Sequence, residues 1–312
     1  MLNNFVKTLN KMENEGNLYV KLNSFIIVAT FFSLWLAVQF EEDIENIFAY
    51  VFILSFGILH GANDLKLIQH SEASQLSKWR FIKVLFYYVL FVLASAFLFY
   101  FLPVLALFLF ILFSGYHFGE QHWRTRIERN SIIGHSFFFV YGIFLLCLLF
   151  SAHLNTVVGI IFTITGKTIL ENIFLSALIF SGIAMIILYF FLAIENKKLQ
   201  RSFIKEIFYL VVFFIVFNTA SLLWAFAIYF VFWHSIPSLI DQVDYLFGSL
   251  TKSTIIEYIK YSFPYWLISL IGIAVILYLF KDDLETSLSF FFSFLAAITF
   301  PHVLVINRIN NA

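Results

Sequence analysis

Ten apolar runs, each about as long as a membrane-spanning helix, constrain this chain most strongly. A helix needs about 20 mostly apolar residues to cross the hydrocarbon layer of a bilayer. Charged or turn-forming residues separate the runs, which cover approximately residues 24–40, 47–67, 81–102, 104–123, 132–153, 173–194, 207–220, 221–242, 262–280 and 287–307. Only Pro103 marks the break between the third and fourth runs, and only Asn218 and Thr219 lie between the seventh and eighth. The pattern predicts an all-α, polytopic integral membrane protein with about ten transmembrane helices.

Composition excludes several other classes of protein. Of the 312 residues, 62% are hydrophobic and 12% are charged, against roughly 25% charged in an average soluble domain. The net charge of zero argues against a nucleic-acid partner, which a basic surface would have to bind. Cys147 is the only cysteine, so an internal disulfide and a cysteine-based zinc site are both excluded. A soluble globular protein is excluded as well, and the lipid bilayer is the expected surrounding.

The distribution of basic residues predicts the orientation of the ten spans. Short loops rich in Lys and Arg stay on the cytoplasmic side of a membrane. Ten spans place 17 of the 19 basic residues on the side of the two termini, and only Lys167 and Lys281 on the other. Both termini are therefore expected in the cytoplasm. The expected organisation is a cytoplasmic segment, residues 1–23, a single transmembrane domain, residues 24–307, and a short cytoplasmic tail, residues 308–312.

Four histidines lie at one predicted depth in the membrane. They fall in the second, fourth, eighth and tenth spans, which run in the same direction: His60, His117, His234 and His302. Each precedes the charged residue taken to mark the cytoplasmic boundary of its span by 6 or 7 positions, which is about 9 to 10 Å of helix. These boundary residues are Lys66, Arg124, Asp241 and Arg308. They could meet in one plane and bind a metal, or they could be unrelated buried histidines bonded to backbone groups. The other four are interpreted as interfacial or hydrogen-bonded: His70, His122, His135 and His153.

Carboxylates near two of these histidines favour the metal hypothesis. Asp64 follows His60 by four residues and Glu120 follows His117 by three, so each pair is expected on one helix face. A metal-ligating imidazole usually donates its second N–H to such a group. His302 has no acidic residue within one turn.

Glycine pairs flank the same two histidines. Gly57 and Gly61 surround the first, and Gly115 and Gly119 surround the second. This spacing lets helix backbones approach closely in a membrane.

Imidazole ligands alone suit zinc, copper or iron.

The motifs that carry these histidines resemble the Brp/Blh family of membrane β-carotene 15,15′-dioxygenases over nearly the whole chain. The matching segments are His60-Gly61-Ala62-Asn63-Asp64, Ser114-Gly115-Tyr116-His117-Phe118-Gly119-Glu120, Trp233-His234-Ser235 and Pro301-His302. The resemblance implies one Fe(2+) bound through His60, His117 and His234, and cleavage of the central double bond of β-carotene with O2 into two molecules of retinal. It also implies a bacterial inner (plasma) membrane and a functional link to a microbial rhodopsin. With its polar first 23 residues, the chain is expected to carry no cleavable secretory signal.

The chain departs from the family pattern at two positions. The family places a second histidine four residues after the first in the third motif, where this chain has Ser238. Position 122, more often acidic in the family, is His122. His302 or a water could fill the vacant iron position, or the activity could be altered or lost.

Three other functions stay open at this point. The first is a catalytically inactive carotenoid- or retinal-binding membrane protein, and the second is another metal-dependent membrane oxidase acting on an apolar lipid. The third is a transporter, for which discontinuous helices would be expected and for which the sequence shows no convincing sign. The spans carry no lysine near their centres, which argues against a retinal Schiff base.

Overall fold

The computed structural model describes residues 2–71, 78–128, 131–279 and 284–310, and these residues form helices and connecting turns with no strand. Ten segments are long and apolar enough to cross a membrane: Val20–Gln39, Glu42–Ser71, Trp79–Phe101, Pro103–Trp123, Ile132–Ala152, Asn172–Ala193, Lys197–Thr219, Leu222–Phe247, Lys252–Val275 and Ser289–Arg308. Each corresponds to one predicted span. The predicted all-α, ten-span fold is therefore confirmed, although Lys281 and residues 311–312 of the predicted tail lie outside the described residues.

Fourteen α-helices and two π-helical segments build the described part of the chain. The α-helices are α1 (Leu2–Gln39), α2 (Glu42–Phe52), α3 (Ile58–Gly61), α4 (Asp64–Ser71), α5 (Lys78–Phe101), α6 (Pro103–Trp123), α7 (Ile132–Ala152), α8 (Leu154–Thr165), α9 (Asn172–Ala193), α10 (Lys197–Thr219), α11 (Leu222–Ile228), α12 (Ile236–Phe247), α13 (Lys252–Leu279) and α14 (Leu284–Asn310). The π-helical segments are π1 (Ile53–Gly57) and π2 (Tyr229–Ser235).

Both weakly marked breaks between spans are present. Leu102 leaves the helical region, with φ −135° and ψ 58°, and Pro103 starts α6, where its missing N–H costs nothing. Between α10 and α11, the backbone N–H of Ser221 donates to the Glu45 carboxylate at 2.6 Å. A carboxylate is stabilised at the positive end of a helix, so Glu45 fixes the start of the eighth span.

The second and eighth spans are not regular α-helices. The second runs through α2, π1 and α3, turns at Ala62 and Asn63, and continues as α4. The eighth runs through α11, π2 and α12. A π-helical turn inserts an extra residue, so it rotates the side chains that follow it, and such turns are frequent at functional sites. The sequence pattern did not indicate this discontinuity.

Glycines bring α6 and α7 into backbone contact. A Cβ added to Gly119 would lie 1.8 Å from the carbonyl oxygen of Phe138, and one on Gly142 would lie 1.7 Å from that of Gly115. Only glycine fits at such distances. The close helix approach predicted from Gly115 and Gly119 is confirmed, with α7 as the partner.

Helix α8 is an element that the sequence pattern did not predict. It has 12 residues, which is too short to cross the hydrocarbon layer. Its buried face consists of Val157, Ile160 and Ile161. These three side chains line an apolar cavity that also borders α6, α7 and α11.

The eighth span lies at the centre of the molecule, with 78% of its apolar window buried. Two tryptophans hold it against α1: the indole N–H of Trp224 donates to the Ser33 carbonyl at 3.1 Å, and that of Trp233 donates to the Thr30 hydroxyl at 3.0 Å. Buried indole N–H groups need such partners. The central position of this span also fixes the depth and location of His234.

Candidate metal centre

The structure brings the four intramembrane histidines together in one cluster. The centroid of the His60 ring lies 5.2 Å from that of His234 and 4.8 Å from that of His302. The His117 ring lies 4.8 Å from His234 and 5.4 Å from His302. Each residue is at most 4% exposed. The four rings therefore form a closed, buried ring of imidazoles, called the histidine cluster below.

The local helix geometry aims each histidine at the cluster. His234 lies inside π2, and His60 follows π1 by three residues. His117 stands on α6 between the two glycines that contact α7, and His302 follows Pro301 on α14. The two π-helical segments thus lie in the same spans as two of the four histidines.

Hydrogen bonds orient two of the imidazoles. His302 Nδ1 lies 2.8 Å from Asp64 Oδ1, and Asp64 Oδ2 accepts from the Tyr88 hydroxyl at 2.9 Å. His60 Nδ1 bonds the Gly57 carbonyl oxygen. Since Nδ1–H donates in each case, Nε2 is left as the atom with a free lone pair.

Asp64 bonds His302 across two helices, whereas the sequence predicted His60 on its own helix. The turn at Ala62 and Asn63 separates α3 from α4, so Asp64 does not lie one regular helical turn beyond His60. The carboxylate instead faces α14, and it supplies the acidic partner that His302 lacks on its own helix.

Several ring nitrogens in the histidine cluster have no hydrogen-bond partner. They are His117 Nδ1, His117 Nε2, His234 Nδ1 and His302 Nε2. A buried polar atom left without a partner costs roughly 1–3 kcal/mol, and neutral imidazole is a common ligand of iron, zinc and copper. The chemistry and burial of the cluster therefore fit a metal ion. As the side chains stand, the described residues contain no group of three or more His, Cys, Asp or Glu positioned to hold one, so binding would require the rings to rotate.

Two residues near the site, Ser238 and Glu120, form no hydrogen bond to a cluster imidazole among those that the structure describes. Ser238 is 2% exposed, and its hydroxyl accepts from the Gln242 amide at 3.2 Å, but it does not line the cavity that contains the histidine cluster. Glu120 is buried, yet neither ring nitrogen of His117 has a hydrogen-bond partner. The expected support of His117 by Glu120 is therefore not formed.

The other four histidines lie outside the cluster, and one belongs to a buried ionic network that sequence reasoning missed. His122 Nε2 lies 2.7 Å from Glu206 Oε2, and the guanidinium of Arg126 pairs with the other carboxylate oxygen. Glu206 is 84 residues from His122 in sequence, so no local pattern could reveal the pair.

Burial lowers the pKa of His153, which lies between two spans, so this side chain is neutral near pH 7.

Two small cavities adjoin at the histidine cluster, and most of their other lining residues are apolar. The cavity at the cluster has a volume of about 40 Å³ and the one beside it about 80 Å³. They share four lining residues: Phe110, Ser114, Phe118 and Phe226. Ligand pockets usually measure about 300–1,000 Å³, so a long hydrocarbon would fit only after these side chains move.

Aromatic rings cover the cluster on this side. Phe230 stacks on His234 at 5.6 Å with an interplanar angle of 16°, and Phe118 meets the same imidazole edge-on at 4.8 Å. The arrangement keeps water away from the imidazoles and presents an apolar surface to a ligand.

Comparison with known proteins assigns the chain to a family. The family described as beta-carotene 15,15'-dioxygenase matches residues 51–310, a range that includes all four clustered histidines. No curated protein and no solved structure matches the chain.

Proposed function

Because this chain belongs to the beta-carotene 15,15'-dioxygenase family, we propose that it cleaves β-carotene with O2 into two molecules of retinal. The central carbon–carbon double bond breaks, and each oxygen atom becomes the carbonyl oxygen of one aldehyde. The observation that carries this proposal is the buried ring of four imidazoles inside a chain of ten apolar spans.

An iron(II) ion is the proposed cofactor, with His60, His117, His234 and His302 as its ligands. When bound, iron supplies the redox chemistry that lets O2 react with a carbon–carbon double bond. Support for His302 comes from its place in the ring and from Asp64 on its Nδ1. In this proposal His302 takes the position that the family pattern gives to residue 238, since Ser238 bonds Gln242 instead.

The chain itself positions the reactants. Asp64 and the Gly57 carbonyl hold two imidazoles in fixed orientations. Phe118 and Phe230 exclude water and contact the polyene, which would enter from the bilayer between helices. Holding the double bond beside the histidine cluster lowers the entropic part of the activation free energy.

The proposed setting is a bacterial inner (plasma) membrane with both termini in the cytoplasm. β-Carotene and O2 both dissolve in the bilayer, and retinal is released into it. A functional link to a microbial rhodopsin, which consumes retinal, completes the proposal.

Pigment analysis of cells that accumulate β-carotene tests the activity. Expression of the chain should yield two retinal molecules for each β-carotene molecule that is consumed, as measured by chromatography. His117→Ala should abolish retinal formation, because the substitution removes one proposed ligand. The matched control is His135→Ala, which removes an exposed histidine that bonds the Tyr116 hydroxyl and should keep full activity.

Two results would contradict the proposal. Unchanged β-carotene in cells with membrane-inserted protein would favour a binding protein without catalysis, the alternative that Ser238 raises. Full activity of His117→Ala would remove the histidine cluster from the reaction.

A further inference from the structure

A polar cavity of about 390 Å³ lies next to the histidine cluster, on the side predicted to face the cytoplasm. Among its lining residues are Gln121, Ser238, Asp241, Gln242 and Asp244, and we call it the polar vestibule. Its polar walls contrast with two cavities of about 80 and 480 Å³ whose walls are apolar. The polar walls indicate a role that involves a hydrophilic species.

The inner end of the polar vestibule lies one helical turn from the cluster. Gln121 follows His117 by four residues on α6, and Ser238 follows His234 by four residues where π2 continues into α12. Four residues of helix rise by about 6 Å. The vestibule and the cluster are therefore successive layers between the same helices.

Exposure decreases steadily from the mouth of the polar vestibule to this inner end. Asp244 is exposed, and Gln121 and Asp241 are half-buried. Gln242 is 4% and Ser238 2% exposed. The lining thus forms a passage from the molecular surface toward the histidines.

Hydrogen bonds continue the polar lining to the second span. Gln242 donates to the Ser238 hydroxyl at 3.2 Å and accepts from the Tyr258 hydroxyl at 2.7 Å. The Tyr258 hydroxyl also lies 3.5 Å from the carbonyl oxygen of His60. Polar groups therefore connect the vestibule with a residue of the cluster.

The charges in the polar vestibule favour a cation. Two carboxylates, Asp241 and Asp244, face one guanidinium, that of Arg124, and Arg124 pairs with Asp241 across the mouth. β-Carotene and O2 need no aqueous passage because both dissolve in hydrocarbon. An aqueous divalent cation does need one, since the bilayer core excludes ions.

We propose that the polar vestibule is the route by which an aqueous divalent cation reaches the four histidines. The inference rests on the proposed function, which requires a metal at the cluster. The unpartnered nitrogens of His117, His234 and His302 belong to the layer about one helical turn beyond the vestibule, and they would replace water ligands of the ion there.

The test uses the full chain in detergent, stripped of metal with a chelator, with Co(II) alone as the probe. Visible absorption follows Co(II) uptake and gives both its rate and its final stoichiometry. The variant is Ser238→Cys in a Cys147→Ala background, so that one thiol is present. Two water-soluble methanethiosulfonate reagents of similar size then attach either a positive or a negative group to that thiol.

The thiol of Ser238→Cys should react with both reagents. The positive group should slow Co(II) uptake at least about tenfold, the order by which charged clefts alter the arrival rate of ions, and the negative group should slow it less. The matched control is Ser181→Cys in α9, a serine that is 4% exposed and lies outside the vestibule. Its thiol should stay unreactive and its uptake unchanged.

The outcomes separate this inference from the proposed function. Three results would overturn the route: an unreactive thiol at position 238, an unchanged rate of Co(II) uptake after modification, or equal slowing by the two reagents. In each case, Co(II) binding at equilibrium would still support the metal site. No Co(II) uptake by the unmodified chain would overturn the metal site and the route together.

Discussion

At the scale of single residues, Asp64 shows what sequence spacing can and cannot predict. Depth in the membrane correctly selected the four histidines that meet in the structure, because 1.5 Å per residue fixes depth along a helix. The partner of Asp64 was not predictable, since a turn at Ala62 and Asn63 redirects the carboxylate to His302. Helix geometry therefore predicts which residues share a level, but not which atoms bond.

Asp64→Ala should weaken metal binding about 10- to 100-fold, the usual effect of removing a carboxylate that supports a ligating histidine. The substitution leaves His302 Nδ1 without the partner that orients the ring. Asp64→Asn is the matched control: it keeps an oxygen acceptor, so the loss should be smaller. Equilibrium Co(II) titration of the purified variants measures the difference.

Equal affinities for the chain, Asp64→Ala and Asp64→Asn would show that His302 needs no acidic partner. They would also weaken its assignment as the fourth ligand.

At the scale of secondary-structure elements, the α6–α7 contact is fixed by a glycine. In Gly119→Ala the new methyl group would meet the Phe138 carbonyl oxygen at 1.8 Å, so the two helices must separate. We expect a loss of about 3 kcal/mol or more, the upper range for overpacking a close contact. Thermal unfolding in detergent measures it. Gly61→Ala is the control, because its nearest neighbour would be His302 Nδ1 at 3.8 Å, and its melting temperature should not fall.

Equal melting temperatures for Gly119→Ala and the unaltered chain would contradict the tight packing of α6 on α7.

A second element-scale prediction concerns the link between α6 and α10. Glu206→Gln removes the charge that pairs with His122 and Arg126. The expected cost is about 3 kcal/mol, the low end for breaking a buried ion pair, because Arg126 keeps 21% of its side-chain surface exposed. Chemical denaturation measures the change. Glu257→Gln, at an exposed carboxylate bonded to Tyr261, should leave stability unchanged, and an equal loss in both variants would refute the assignment.

Three elements escaped prediction for identifiable physical reasons. Segments π1 and π2 consist mostly of apolar residues that suit an α-helix equally well, so the extra residue in each turn is set by packing against other spans. Helix α8 has 12 residues and falls below the length at which hydropathy identifies a span. Tertiary contacts, rather than local propensity, determine all three.

At the scale of the whole molecule, length and hydropathy were sufficient to predict ten spans. Each span must satisfy its backbone groups internally and match the bilayer thickness, so the pattern is recorded locally in sequence. The order of helices around the histidine cluster is not, because it depends on contacts between distant spans. The cavities and the polar vestibule follow from that order, so they could not be predicted from the sequence either.

The orientation of the molecule can be tested with reporter fusions. Since 17 of 19 basic residues lie on the predicted cytoplasmic side, a green fluorescent protein after Ala312 should fluoresce in bacterial cells. Alkaline phosphatase joined after Gly166, on the opposite side, should be active. A fluorescent fusion at Gly166 would reverse the orientation and would place the polar vestibule on the outer face.

Helices of the transmembrane domain line the two cavities at the histidine cluster, which has a consequence for how turnover responds to dilution. If the hydrocarbon arrives only through the bilayer, its effective concentration is its mole fraction among the lipids, not its amount per volume of water. Adding carotene-free lipid that mixes with the membrane would then slow the protein at constant total carotene, whereas adding buffer would leave the rate per protein molecule unchanged.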